Sequence, residues 1–333
     1  MAMDIDSIQT LLQSKRTEDR VRAAESLSAG HPSHIPILMA LLSDRTAYVA
    51  SAAARKLCSN PPEGQEQALL KAYKERDESG SKLDPGCHIR AYLAMALGKL
   101  AFHPAADALR KGIKTRQIEK GSDSAVVLRG NCALALSQVA PPDAVRDISI
   151  LLFEPADFLM DSSEARKAAA RALGRIPDEA AIIPLVLRLT YPEGENSDVL
   201  AVCMEAVVDR DDPRALELLA PYLAHSNQGL AAQAAILIAR TGSDEALQLL
   251  KSTCLDMRGD ALRAVVLALS AIRNDSAQLA VLELAREVRE DIRLAAVEAL
   301  AGRSGAMVRE ALAGIAESDS SPSVRRAAAL ALQ

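Results

Sequence analysis

The feature that most constrains the fold of this 333-residue chain is an internal repeat of one helical pattern. A nine-residue segment recurs at intervals of 28 to 40 residues, with apolar first and fifth positions and, except for Ser270, an apolar ninth position in the regular copies. Because these positions share one face of an α-helix, each copy predicts a helix with a continuous apolar stripe. A weaker copy begins at Val21, and the others begin at Val49, Ile89, Leu128, Ala165, Leu200, Leu230, Leu262, Ile292 and Val324.

A second kind of helix lies between these segments and usually opens with a cap residue followed by Ala, as after Ser243. Pro36, Pro184 and Pro221 are predicted to lie inside such helices and to bend them. Two helices and two turns fill about 30 residues, a unit that cannot bury its apolar face alone. The sequence therefore predicts an all-α, right-handed α-solenoid of about ten helix pairs, forming one domain over residues 1–333.

The composition agrees with closely packed helices. The chain is 49% apolar but only 2% aromatic, so Ala and Leu have to fill the core. A formal net charge of -5 disfavours nucleic-acid binding. The N-terminus lacks the basic start and apolar run of a signal peptide, and no 18-residue apolar stretch is free of polar residues. Together with five scattered cysteines, which form no secreted disulfide framework, these features predict a soluble cytoplasmic protein.

The repeated segment follows the pattern V-R-x-A-A-x-x-A-L, then Gly or a polar turn, then Asp-x-x-Ala-hydrophobic. This pattern resembles the short HEAT-like repeats first named for phycobilisome lyases, best at residues 165–184, 292–302 and 324–332, and the resemblance covers nearly the whole chain. In such repeats the second-position arginine is a structural rung that pairs with neighbouring acids or helix ends. The resemblance implies this role for Arg22, Arg90, Arg129, Arg166, Arg263, Arg293 and Arg325.

Four units are longer than the rest because extra residues separate their two helices. These insertions span residues 77–87, 115–125, 154–163 and 191–197. Equivalent turns of stacked repeats project from one edge, so the insertions are expected to lie side by side, an arrangement that often marks a binding face. The alternative is that they are tolerated surface loops, since loop length costs little free energy.

The insertions carry a mixed set of candidate partner-binding residues. Lys114, Arg116 and Lys120 form a basic cluster that we expect to bind acidic groups of a partner. The next two insertions supply acidic side chains for basic groups and apolar or aromatic side chains as anchors. They are Asp157, Asp161, Glu193 and Glu195, with Phe158, Met160 and Tyr191. The alternative is that the Phe-Leu-Met run folds back and is buried against the solenoid.

A second candidate surface is the groove lined by the second helix of each pair. Residues 89–100 and 128–140 carry few charges, so these helices are apolar most of the way round. Either neighbouring small side chains fill the groove, which the abundance of Ala and Gly favours, or it accepts an apolar ligand or helix. Tyr92 and Asn131 are the polar side chains expected to contact such a ligand.

Sequence motifs for catalysis are mostly absent. The chain has no G-x-G-x-x-G, P-loop, G-x-S-x-G or H-E-x-x-H motif. No histidine is followed by Glu, which counts against the di-iron HEAT hydroxylases. The pairs His31 with His34 and Cys87 with His88 each supply two of the roughly four ligands that a metal site needs. No catalytic residue, metal or cofactor is therefore assigned.

Three functional classes remain. A non-enzymatic protein-interaction scaffold, or adaptor, agrees with an extended surface, missing catalytic motifs and balanced charge. The resemblance alone implies a chromophore-handling role like that of a phycobilin lyase, and the scarcity of aromatic residues argues mildly against it. A HEAT-like nucleic-acid-binding protein would show a basic face with aromatic residues, which the net acidity and the lack of Trp disfavour. The preferred interpretation is a scaffold with a protein partner and no membrane contact.

Overall fold

The structure is a computed structural model that describes residues 5–155, 162–301, 303 and 305–333. These residues form twenty α-helices and one short β-hairpin, so the prediction of an all-α fold is confirmed. The helices follow one another as ten pairs. We call the first helix of each pair the A helix and the second the B helix.

Tertiary contacts divide the chain into two compact units, residues 1–188 with 193–199 and residues 189–192 with 200–333. The prediction of one domain stays a prediction. Helices of the first unit are α1 (Ile5–Leu12), α2 (Thr17–Ser26), α3 (Ile35–Leu41), α4 (Ala47–Ser59), α5 (Glu66–Ser79), α6 (His88–Lys99), α7 (Ala106–Ile113), α8 (Val126–Val139), α9 (Ala144–Leu152) and α10 (Ser163–Arg175), with strands β1 (Ile118–Glu119) and β2 (Ser122–Asp123). Two helices have residues in both units, α11 (Ile182–Thr190) and α12 (Ser197–Asp209). The second unit continues with α13 (Ala215–Leu219), α14 (Gln228–Thr241), α15 (Asp244–Asp256), α16 (Gly259–Ala271), α17 (Asp275–Leu284), α18 (Glu290–Leu300), α19 (Ala306–Ser318) and α20 (Pro322–Ala331).

The B helices carry the predicted apolar stripe. The fifth-position residues of the nine regular copies, from Ala53 to Ala328, are all completely buried. Within the first unit α2, α4, α6, α8 and α10 pack on one another in that order, and α14, α16, α18 and α20 do the same in the second unit. Each of these nine B helices also packs on the A helix of its own pair, so one apolar stripe serves both its own pair and its neighbours.

Small residues allow the B helices to approach each other closely. A Cβ atom on Gly98 of α6 would lie 2.6 Å from the Cα atom of Ala135 in α8. A Cβ atom on Gly130 of α8 would lie 2.9 Å from the Cβ atom of Ala168 in α10. Glycine at these two positions is therefore required by the backbone separation, which explains how a core with few aromatic residues is filled.

The three prolines do not bend continuous helices, contrary to the prediction. Pro36 is the second residue of α3, and Pro184 is the third residue of α11. In both cases a 3-10 turn directly precedes the α-helix, and Pro221 lies in the 3-10 helix Ala220–Ala224 that follows α13. Proline is tolerated at such boundaries because the N–H groups of a first helical turn have no partner within the helix.

The first repeat begins two residues earlier than predicted, at Asp19 rather than Val21. Arg20 is buried, as are Ala23 and Ala24, whereas Arg22 is exposed. Arg20 therefore occupies the repeat-arginine position that the sequence pattern had given to Arg22.

Replacing Gly98 by Ala tests the close helix contact. Although Ala favours helices, we expect the free energy of unfolding to fall by about 1–3 kcal/mol, because the new methyl group meets backbone atoms of α8. Urea denaturation of both proteins measures the change. Gly314→Ala in α19 is the matched control, since a Cβ atom there meets nothing within 4 Å. Equal effects at the two positions would contradict the close-packing explanation.

Candidate functional site

The first two insertions adopt short regular structures. The segment 77–87 completes α5 and then forms two 3-10 turns before α6. The segment 115–125 forms the hairpin, in which Ile118 pairs with Asp123. Lys120 and Gly121 connect the strands with positive φ angles of 52° and 83°. Two such residues in a row are typical of a tight type I′ hairpin turn.

Hydrogen bonds hold these two insertions against each other. The backbone N–H of Gly86 donates to Oε2 of Glu119 at 3.1 Å. Nε2 of Gln117 donates to the carbonyl oxygen of Asp84 at 3.1 Å. Arg90 of α6 donates to Oε1 of Gln117 at 2.7 Å. The turn before α6 is thereby tied to the hairpin before α8.

A buried carboxylate organises the first insertion. Asp84 is completely buried and accepts a hydrogen bond from Nε of Arg90 at 3.0 Å. It also accepts from the backbone N–H groups of Ile89 at 2.9 Å and of Arg90 at 3.1 Å. Asp77 pairs with the same guanidinium at 3.2 Å. Asp84 therefore satisfies N–H groups at the start of α6 and also neutralises the repeat arginine of that helix.

A four-residue ionic cluster links the second insertion to the third. Arg129 of α8 is buried and donates to the carboxylate of Asp123 and, at 3.3 Å, to Oε2 of Glu154. Arg116 pairs with the carboxylate of Asp123 at 3.1 Å and also with the carboxylate of Glu154. Burial alone would raise the pKa of Asp123, but hydrogen bonds from Arg129 and from two backbone N–H groups outweigh burial and hold this pKa below its usual range.

Arg166 of α10 makes the corresponding contact one repeat further along. Its Nε donates to Oε1 of Glu195 at 3.1 Å, and its Nη1 donates to the hydroxyl of Ser162 at 2.7 Å. Glu195 also pairs with Arg188 at 3.4 Å, whose guanidinium carbon lies 4.2 Å from the ring centre of Phe153. Successive insertions of the first unit are thus joined by the same kind of contact.

The structural role that the resemblance implies for the repeat arginines extends beyond the insertions. Arg20 pairs with Asp44 at 3.1 Å, and Arg293 of the second unit pairs with Asp319 at 2.8 Å. In each case the arginine of one B helix reaches an acid in the turn of the next pair. Arg263 departs from this rule, since its side chain is largely exposed.

Several exposed side chains at the first two insertions are basic or apolar. Lys114 and Lys120 are exposed, whereas the acids Asp84 and Asp123 are buried. Two large apolar side chains lie on the same insertions, Leu83 at 50% and Ile118 at 55% exposure. We call Leu83, Lys114, Ile118 and Lys120 the basic edge. Leu83 and Ile118 were not among the predicted site residues, because a single apolar residue in a polar insertion is no signal of a binding role.

The remaining candidates of the loop insertions lie in different surroundings. Glu195 is engaged by two arginines, and its side chain is only 3% exposed. Tyr191 and Glu193 are exposed, and Arg116 is half exposed. Four predicted residues lie outside the described residues: Asp157, Phe158, Met160 and Asp161.

The two groove residues also differ from each other. Tyr92 is half-buried and lines a groove of about 680 Å³ on α2, α4 and α6, together with the exposed Tyr48. Nδ2 of Asn131 donates to the carbonyl oxygen of Ala91 at 3.1 Å, so its amide connects α8 to α6. Tyr92 is available for a ligand, whereas Asn131 serves the packing of the B helices.

The paired histidine and cysteine candidates have structural surroundings. The rings of His31 and His34 stack with their centres 4.6 Å apart. Cys87 is buried beside Arg90, and burial raises the pKa of its thiol to about 11. Among the described residues, no group of three or more His, Cys, Asp or Glu side chains is arranged to hold a metal ion. Within the same part of the chain, no helix has the length and apolar character needed to span a membrane.

Comparisons with known proteins identify the fold. No family model matches the chain, and no curated protein matches it in sequence. The karyopherin Kap121p is similar over 98% of this chain and 40% of its own, with 13% identity and a TM-score of 0.55. The chain is also similar to the complex of CpcE and CpcF of phycocyanin lyase from Nostoc sp. PCC7120, with 22% identity over 82% of this chain and 97% of that chain and a TM-score of 0.41. It is similar to Escherichia coli YibA as well, with 16% identity over 81% of this chain and 93% of that chain and a TM-score of 0.49. The likeness to Kap121p shows the fold, and the chain is a HEAT-like α-solenoid.

Replacing Asp123 by Asn tests the ionic cluster. Arg129 would lose its closest carboxylate, so we expect the free energy of unfolding at pH 7 to fall by about 2 kcal/mol or more. The folded-state pKa of Asp123 lies below the unfolded value of about 3.9, so the stabilisation is present above that pH and is lost as the pH falls through the folded-state pKa. Urea denaturation should show a smaller difference in the free energy of unfolding between the two proteins at pH 3 than at pH 7. A difference independent of pH would contradict the assignment.

Proposed function

We propose that the chain is a non-enzymatic scaffold that binds an acidic segment of a partner protein along the basic edge. The observation that supports this proposal is a sorting of charge within the first two insertions. Buried arginines hold the carboxylates of Asp84 and Asp123 inside, while Lys114 and Lys120 are exposed. An acidic partner therefore meets lysines beside two carboxylates, those of Asp84 and Asp123, that arginines already neutralise.

The rigidity of the basic edge supports the same proposal. The two insertions are cross-linked through Gln117 and Glu119, so little loop ordering is needed when a partner binds. Leu83 and Ile118 add apolar contacts beside the lysines. The partner segment that fits best alternates Asp or Glu with apolar side chains, and salt should weaken its binding because the lysines are exposed.

We retain further predicted residues as proposed contacts for other parts of the partner. Asp157, Asp161 and Glu193 are proposed for basic groups, Phe158, Met160 and Tyr191 as anchors, and Tyr92 for a ligand of the groove. Glu195 and Asn131 are left out because polar atoms of both are engaged within the chain. None of the five cysteines, all of which lie among the described residues, forms a disulfide, which supports a reducing compartment, and we propose that the protein acts in the cytoplasm.

Charge reversal on the basic edge tests this function. The double variant Lys114→Glu, Lys120→Glu should capture the partner from native lysate about tenfold less efficiently, because two attractive contacts become repulsive. Quantitative mass spectrometry of the eluates measures the loss. The control variant Arg273→Glu, Arg309→Glu reverses two exposed charges of the second unit and should capture the partner as the parent does. Equal losses for both variants would contradict the proposed edge.

A photo-cross-linker locates the contact directly. Benzoylphenylalanine in place of Ile118 should become covalently joined to the captured partner. In place of Leu267, which is 62% exposed on α16 of the second unit, it should not. Cross-linking at Leu267 but not at Ile118 would move the binding surface away from the insertions.

A further inference from the structure

The second unit contains a groove between two successive A helices, α17 and α19. Each of these helices packs on the B helix of its own pair, α17 on α18 and α19 on α20. The space between them is an open groove of about 760 Å³. A groove bounded by two helices has the shape into which a third helix can pack.

Apolar side chains from both helices line part of this groove. Met307, Ala311 and Ile315 line it from α19, and Leu279 and Leu282 line it from α17. Leu279 is 48% exposed and Met307 is 53% exposed. Met307 and Ala311 are four residues apart and share one face of α19 with Ile315, so they form a continuous stripe along the groove. Methionine in particular adapts its shape to a partner surface.

Gly314 is the residue of this groove that the chain itself does not explain. It lies within α19, where glycine is less favourable than every residue except proline. A Cβ atom at Gly314 would meet nothing within 4 Å, so the packing of the described residues does not require glycine there. Gly314 lines the groove three residues after Ala311. Two small residues on the side of α19 that lines the groove leave room for a partner helix to approach closely.

The charges around the groove favour a basic partner. Four carboxylates and two guanidinium groups line it. Asp319 pairs with Arg293, and Glu283 pairs with Lys251 of α15. The other charged residues of the lining are the acids Glu287 and Glu310 and the base Arg286. A net negative charge therefore faces a bound molecule.

We propose that this groove binds an amphipathic helix of a partner protein. The apolar stripe of that helix packs on Leu279, Met307 and Ile315, and a small residue crosses over Gly314. Lys or Arg side chains beside the stripe pair with Glu287 and Glu310. This site lies in the second unit and does not depend on the basic edge, so either proposal can fail while the other stands.

A designed peptide provides the test. The probe is a fluorescently labelled 18-residue helix with Leu along one face, Ala at the centre of that face and Lys on its flanks. Fluorescence anisotropy with the full-length protein should show saturable binding. A peptide of the same composition in scrambled order, and one with Glu in place of Lys, should bind at least about tenfold more weakly, because they lose the stripe or the charge match.

Variants of α19 separate binding from folding. Gly314→Leu should weaken probe binding about tenfold or more, because its side chain fills the crossing point. Gly314→Ala should raise the melting temperature by about 1–3 °C and still weaken binding several-fold, a combination that a purely structural role would not produce. The control Arg309→Leu changes the opposite face of α19 and should bind the probe as the parent does.

Three results would overturn the proposal. The first is equal binding of the scrambled and the amphipathic peptides, or no saturable binding of either. The second is unchanged binding by Gly314→Leu. The third is self-association of the parent protein in analytical ultracentrifugation that Gly314→Leu abolishes, because the groove would then be an interface between two copies of this chain.

Discussion

A buried arginine of a B helix, held by a carboxylate in the turn of the next pair, is the interaction on which the arrangement of the insertions depends. Arg129 with Glu154 and Arg166 with Glu195 make this contact in the first unit, and Arg293 with Asp319 makes it in the second. A buried ion pair adds little net stability over an apolar pair, but leaving one partner alone is costly. The contact therefore fixes which turns are neighbours more than it strengthens the fold.

Charge sorting on the surface follows from this interaction. Because the arginines require partners, the carboxylates of Asp123, Glu154 and Glu195 are drawn inward, whereas Lys114 and Lys120 stay exposed. The small residues of the B helices have a second consequence. They let successive B helices pack closely, whereas the A helices α17 and α19 are separated by an open groove. Both proposed binding surfaces therefore arise from the packing of the repeats.

The repeat itself was predictable because it depends on local periodicity. The fifth-position residues are buried as the pattern required, and ten helix pairs form. Two predictions were wrong: the register of the first repeat, for which two alignments of the pattern were similar, and the position of the three prolines within helices. Arg20 and Arg22 both precede small residues, and only the position of Asp44, 24 residues beyond Arg20, selects the first. Pro184 looked internal because the 3-10 turn before α11 continues the same apolar pattern.

The sequence by itself determined the fold class, the number of repeats and the places where insertions interrupt them, because periodicity and spacing are properties of the chain alone. Only the tertiary structure decided which charged side chains are free to meet a partner. Glu193 and Glu195 are two residues apart in one acidic insertion, yet Glu193 is exposed, and Arg166 and Arg188 enclose Glu195. The reason is that Arg166, which helps to neutralise Glu195, comes from a neighbouring repeat and is 29 residues away in sequence.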